Sequence, residues 1–229
     1  MGVRIRQAAE RDRERVVRLL DEAFLHDPVS SWVFPEEAHR RRVHGVFLGV
    51  FLDTVLAEGR VDMIEDGTAA ALWLPVPAAA PEEEDDIPAR MREIADPDNE
   101  RAELIGRLTG AVHPQGRAHE YLLLIGVSPD RQGEGLGTAL LGPALERCDR
   151  EGLPAYLEAS SARSCHLYRR MGFAFTDSAI RLPDGPQMWP MWREPGARGS
   201  GAVEHTRHQP AGSAASKPGG GGVGRPPAP

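Results

Sequence analysis

Residues 121–141 read Tyr121-Leu-Leu-Leu-Ile-Gly-Val-Ser-Pro-Asp-Arg-Gln-Gly-Glu-Gly-Leu-Gly-Thr-Ala-Leu-Leu141, and this run decides the fold. Tyr121–Val127 is continuously apolar, which fits a strand buried on both faces rather than one half in water. Ser128-Pro129 ends it, a glycine-rich loop follows, and Gly135–Glu151 carries helical spacing. A helix that starts beside a strand end offers unsatisfied first-turn amides at the positive end of its dipole, so it can hold a phosphate. Gly133, Gly135 and Gly137 would leave no Cβ between the backbone and a diphosphate.

Outward from this run the apolar period alternates between two and about 3.6. Val3–Arg6 reads as a strand, Glu10–Leu25 and Glu36–Glu58 as helices, and Arg60–Glu65 and Thr68–Leu74 as strands of a hairpin turned at Asp66-Gly67. In the second helix Val43, Val46, Phe47, Val50, Phe51 and Val55 supply the expected core face. A break at Pro75–Pro77 and the acidic run Glu82–Asp86 precede a helical stretch over roughly Pro88–Leu108. Beyond the central run, Ala155–Glu158 is a strand, Ser164–Met171 a short helix, and Phe173–Asp177 and Gln187–Trp192 strands joined by Pro183–Pro186. The expected fold class is α/β (α+β mixed), a central mixed sheet of six to seven strands flanked by helices.

The 229 residues suit one domain, 1–195, with an appendage, 196–229. That appendage is rich in Gly, Ala, Ser and Pro, so disorder is expected there. The net charge is −7, and the appendage holds four cations against Glu204, which leaves −10 on residues 1–195. Such a surface gives no help toward nucleic acid or anionic membranes. The longest apolar runs fall far short of a membrane span, and the N-terminus lacks a signal-peptide pattern. A cytoplasmic protein is the expectation. The two cysteines, Cys148 and Cys165, form no CxxC, and no metal site is expected.

Several phosphate-loop readings meet at Gly133–Thr138. A P-loop requires Lys-Ser/Thr after its last glycine, where this chain has Thr138-Ala139. A dinucleotide fingerprint starting at Gly133 requires a small residue where Thr138 stands, although Glu158 sits where a ribose-binding acid would lie. Gln132-x-x-Gly135-x-Gly137, preceded by Val127-x-Pro129, instead resembles the acetyl-CoA pyrophosphate motif of the GNAT superfamily of N-acetyltransferases. Leu167-Tyr168-x-x-Met171-Gly172-Phe173 resembles that superfamily's second signature, in the right order downstream. The stretches 126–137, Gly152–Ala155, Leu157-Glu158 and Leu182–Pro186 look most like the subgroup around puromycin N-acetyltransferase. At 162–164 the chain has Ala-Arg-Ser where that subgroup has Pro-Arg-Asn.

The resemblance implies acetyl transfer from acetyl-CoA to a small-molecule amine, by a monomer or homodimer. It implies a strand splayed at a bulge near Gly126-Val127, and a cofactor site made by Ile125, Gly126, Val127, Arg131, Gln132, Gly133, Gly135, Leu136, Gly137, Thr138 and Ser164. Tyr168 matches the signature tyrosine that can protonate the departing thiolate. Candidate bases are Glu120, then Glu158, then His119. His26 and Asp27 are candidates for the acceptor pocket, while Trp189 and Trp192 read as core or acceptor wall. Cys165 lacks a partner pattern for a nucleophile. The acidic balance favours a cationic amine. An idle acyl-CoA-binding regulator and a protein acetyltransferase are the alternatives.

Overall fold

In the computed structural model, which describes residues 3–79, 89, 92–94 and 96–196, the run from Tyr121 is the central strand. The chain begins with β1 (Ile5–Gln7), α1 (Arg13–Phe24), α2 (Pro28–Val33) and α3 (Glu37–Glu58). The hairpin β2 (Arg60–Ile64) and β3 (Ala69–Val76) leads to α4 (Glu100–Val112) and β4 (His119–Val127). Then come α5 (Leu136–Glu151), β5 (Ala155–Ala159), α6 (Ala162–Arg170), β6 (Ala174–Phe175), β7 (Ile180–Arg181) and β8 (Gln187–Arg193). The acidic run Glu82–Asp86, the start of the helix expected at Pro88, and residues 197–229 lie outside the described residues.

Among the described residues eight strands form the sheet, not six or seven, because β6 and β7 are two-residue pieces laid against β8. The order is β1-β2-β3-β4-β5-β8-β6. Among the described strands only β4 and β5 run parallel, joined through α5. Helices α1, α3 and α4 cover one face, with Leu20, Phe47, Leu52 and Ile105 in that core. Helices α5 and α6 cover the other, with Leu140, Leu145, Cys165 and Tyr168.

Two irregularities in β4 build the site. Leu72 pairs with Leu124 and Trp73 with Leu122, so Leu123 is an extra residue in β4. The bulge therefore sits at Leu123, not at Gly126-Val127, where pairing with β3 is regular. Gly126 has another cause: a Cβ there would come within 3.0 Å of Leu20 Cδ2 and 3.4 Å of Ala23 Cβ, so the glycine lets α1 lie close on the sheet. The second irregularity is a gap. Parallel pairing of β4 with β5 occurs at Glu120↔Ala155 and Tyr121↔Tyr156 and goes no further, so the strands diverge toward the glycine loop.

The helical wall departs from the expected pattern in two places. Its long helix α3 turns Arg40, His44, Phe47, Leu48, Leu52 and Val55 inward, while Val46 is half exposed. The stretch expected as one helix to Leu108 is interrupted. Pro97 cannot donate to a helical ladder, and the Asn99 side chain accepts from Arg101 N at 3.1 Å to start α4 anew.

Candidate active site

The gap between β4 and β5 opens into a cavity of about 620 Å³ that reaches both faces of the sheet. On one side it meets the glycine loop, the first turn of α5 and α6. On the other it is walled by α1, α2, α3 and α4.

The loop side is prepared for an anion. Gly133 and Gly135 have φ of +90° and +82°, and a Cβ on either would meet nothing within 4 Å, so bare backbone faces open space. Gly135 is also the N-cap of the sixteen-residue α5, which leaves the amides of Leu136, Gly137 and Thr138 without helical acceptors. Gly137 serves packing instead, since a Cβ there would lie 3.2 Å from Leu167 Cδ2. Arg163 and Arg170 on α6 line the same side. The donor set suits a CoA diphosphate. Of the expected cofactor residues, Ile125, Val127, Gln132, Gly133, Gly135, Leu136, Gly137, Thr138 and Ser164 line the cavity. Gly126 and Arg131 are not among its lining residues: Gly126 packs on α1, and Arg131 pairs with Glu134 at 2.8 Å.

Tyr168 and Glu158 both line the cavity. Tyr168 belongs to the α5–α6 core, and its phenol is raised by burial, then by nearby Cys165 and Asp27, so it keeps its proton. Glu158 lies under the helical wall, its side chain 4% exposed. Its Oε2 accepts from the Tyr121 hydroxyl at 2.7 Å, while Oε1 has no hydrogen-bond partner. Burial pushes its carboxyl up to about 7, against the opposing Tyr121 bond.

Glu120 is elsewhere. It points to the α5 face, pairs with Arg147 at 2.9 Å, and is not among the cavity's lining residues. Because side chains alternate along β4, His119 faces the other way, as expected, but it too is absent from the lining. Its Nδ1 is 2.8 Å from Arg117 O, its Nε2 3.0 Å from His113 Nε2, and its ring packs on Trp192. Trp189 packs in the α5–α6 core, and neither tryptophan forms acceptor wall. Cys165 is buried with its thiol pushed up by desolvation, so no thiolate is poised there.

His26 is exposed and outside the cavity, whereas Asp27 lines it. Asp27 Oδ1 accepts from Val29 N at 2.8 Å and Ser30 N at 3.4 Å, capping α2, and Oδ2 accepts from Ser160 Oγ at 2.6 Å. It thus ties the helical wall to the end of β5 across the mouth of the gap. Burial raises its carboxyl. Sequence reading missed Ser30, Arg163 and Arg170. Asp27-Pro28, an N-cap followed by proline at the first helical position, was the available sign of α2. Among the described residues, no cluster of His, Cys, Asp or Glu could hold a metal ion.

Residues 64–173 match the model of the acetyltransferase (GNAT) family. A solved structure from Corynebacterium glutamicum, described as histone acetyltransferase HPA2 and related acetyltransferase, superposes with a TM-score of 0.65 at 25% identity, covering 87% of this chain and 99% of that one. Both comparisons support one family, the GNAT acetyltransferases. Relatives by sequence include an uncharacterised N-acetyltransferase of Schizosaccharomyces pombe, 41% identical over 68 residues, 30% of this chain and 28% of that protein. A mycothiol acetyltransferase of Streptomyces griseus is 33% identical over 142 residues, 53% of this chain and 45% of that protein. The chain thus spans less than half the length of either relative. Neither relative is named as a puromycin N-acetyltransferase, the enzyme whose subgroup the motifs resemble.

Proposed function

We propose that the protein transfers acetyl from acetyl-CoA to a primary amine of a small molecule by direct attack. One observation carries this reading: a buried carboxyl and a buried phenol line one cavity from opposite sides of the β4–β5 gap, and the glycine loop opens into it. The acetyl-CoA thioester supplies an acetyl group activated for attack by nitrogen. The loop amides and Arg163 hold its diphosphate. Glu158, ionised above about pH 7, takes the proton that the attacking amine must lose. Tyr168 gives its proton to the sulfur as the carbon–sulfur bond breaks; burial raises its phenol above the ordinary value, and the same desolvation makes a thiolate formed beside it more basic. The C–N bond forms as the C–S bond breaks, and the two protons end on Glu158 and on the thiol.

The paired acid and base count against an idle acyl-CoA binder, which would need neither. The small-molecule acceptor is supported by relatives named for mycothiol. The decisive assay follows CoA release across a panel of amines, with the acetylated product confirmed by mass. CoA-dependent binding without turnover of any amine would leave only the binding role.

A further inference from the structure

The acceptor side of the cavity has a chemical character of its own. Its bulk is apolar, with Phe24, Val33, Phe47, Phe51, Ile105 and Met188 around it. Among the described lining residues contributed by α1, α2, α3, α4 and β4, none carries a positive charge.

The polar groups on this wall are held as hydrogen-bond acceptors. Asp27 already receives two amides and the Ser160 hydroxyl. Ser30 is set by a chain of hydrogen bonds through the buried His44: Asp21 Oδ1 lies 2.7 Å from His44 Nδ1, and His44 Nε2 lies 3.0 Å from Ser30 Oγ. Burial lowers the His44 pKa against the pull of Asp21, so the ring is neutral. A carboxylate can only accept, which puts the single ring proton on Nδ1 and the lone pair on Nε2. Ser30 must then donate its proton to His44, and only lone pairs are left for the cavity.

Aspartate, histidine and serine in this order also suggest a nucleophile. The surroundings argue against one. An oxyanion on a carbonyl attacked by Ser30 would need donors, yet the nearby amides of Val29 and Ser30 are committed to Asp27. The Asp27 charge would oppose a second anion beside it.

We infer that the acceptor is a primary amine on an apolar body that carries a second N–H or ammonium group, which Ser30 reads as hydrogen-bond acceptor, with Asp21 and His44 as positioning residues that set its polarity. This rests on the acetyl-transfer reading above. An amine bearing a carboxylate or phosphate finds no cation on this wall and meets Asp27.

The test measures kcat/KM of the full chain with acetyl-CoA and a matched set: 1,3-bis(aminomethyl)benzene, benzylamine, 4-(aminomethyl)benzoate and glucosamine. The diamine should lead benzylamine, through KM, and both should exceed the carboxylate and the sugar by at least roughly tenfold. One hydrogen bond to a charged group is worth about 10- to 100-fold, so Ser30→Ala should shrink the diamine-to-benzylamine ratio by about that factor. Asp21→Asn should shrink it similarly without touching substrate, because the amide can donate to Nδ1 and move the ring proton to Nε2. Ser30→Thr, which keeps the hydroxyl, should retain the preference. Preference for glucosamine or the carboxylate, an unaltered ratio in Ser30→Ala, or an acetylated Ser30 in mass spectra would overturn the inference while the acetyl-transfer reading stands. Acetyl-CoA left unconsumed with every amine would overturn both.

Discussion

The loop side and the acceptor side of the cavity are built by opposite means. Residues 121–138 bring strand, loop and helix N-terminus together within one short segment, so the surface proposed for the cofactor is mostly backbone. The acceptor wall draws side chains from α1, α2, α3, α4 and the end of β5, residues more than a hundred positions apart that meet only after folding. A surface of backbone tolerates little substitution, because its geometry is its chemistry. A surface of side chains can be retuned one residue at a time, which is how one fold serves many acceptors.

The largest effect should come from breaking the backbone side. Gly135→Asp forces a side chain into φ +82° and sets a carboxylate where the diphosphate belongs, so CoA binding by calorimetry should fall to undetectable with the fold intact by circular dichroism. Retained affinity in a folded variant would separate the loop from the cofactor.

Next comes Glu158→Gln, with a loss of about 10²–10⁴ in kcat. Glu158 works only when ionised, so kcat of the parent should rise with pH through about 7, and this limb should vanish in the variant. Stability should move the other way. The folded carboxyl is raised above its ordinary 4.5, so the unfolded chain releases this proton first, and stability is lost as pH climbs from about 4.5 to about 7. Glu158→Gln should therefore melt higher than the parent at pH 8 and at nearly the same temperature at pH 4. A limb that follows the pKa of the amine instead of the enzyme would return the base role to solvent.

Tyr168→Phe should cost less, about 10²-fold in kcat with acetyl-CoA affinity kept, because a thiolate leaves with modest help. Full rate would reduce Tyr168 to packing. The smallest effect on rate should belong to Glu120→Gln, on the far face of β4: kcat within about twofold, because Glu120 pairs with Arg147 outside the cavity. A large rate loss there would show that the two faces are coupled through the strand.

The contrast between the two sides is also the contrast between what was legible and what was not. The central strand, the glycine loop, α5 and α6 were readable because each rests on local rules: an apolar run, left-handed glycines and a helix start within a few residues. Glu158 and Tyr168 could be named as candidates from their places in the motifs. Glu120, ranked first among the candidate bases, lies outside the cavity through a parity that no local pattern reveals. The extra residue at Leu123 reverses which β4 side chains face the helical wall, so Glu120 turns to Arg147 while Ile125 and Val127 keep the cofactor side. Val46, expected inward, is half exposed, and His44 takes a place in the core. A histidine is an unlikely core residue by composition, yet Asp21 and Ser30 satisfy both ring nitrogens and let it be fully buried. Sequence by itself thus determined the elements and the glycine loop, since their physics is short-ranged. Which side chains line the far wall of the cavity, and the burial of Glu158 beside Tyr121, were decided by tertiary structure, because each depends on a partner that only folding supplies.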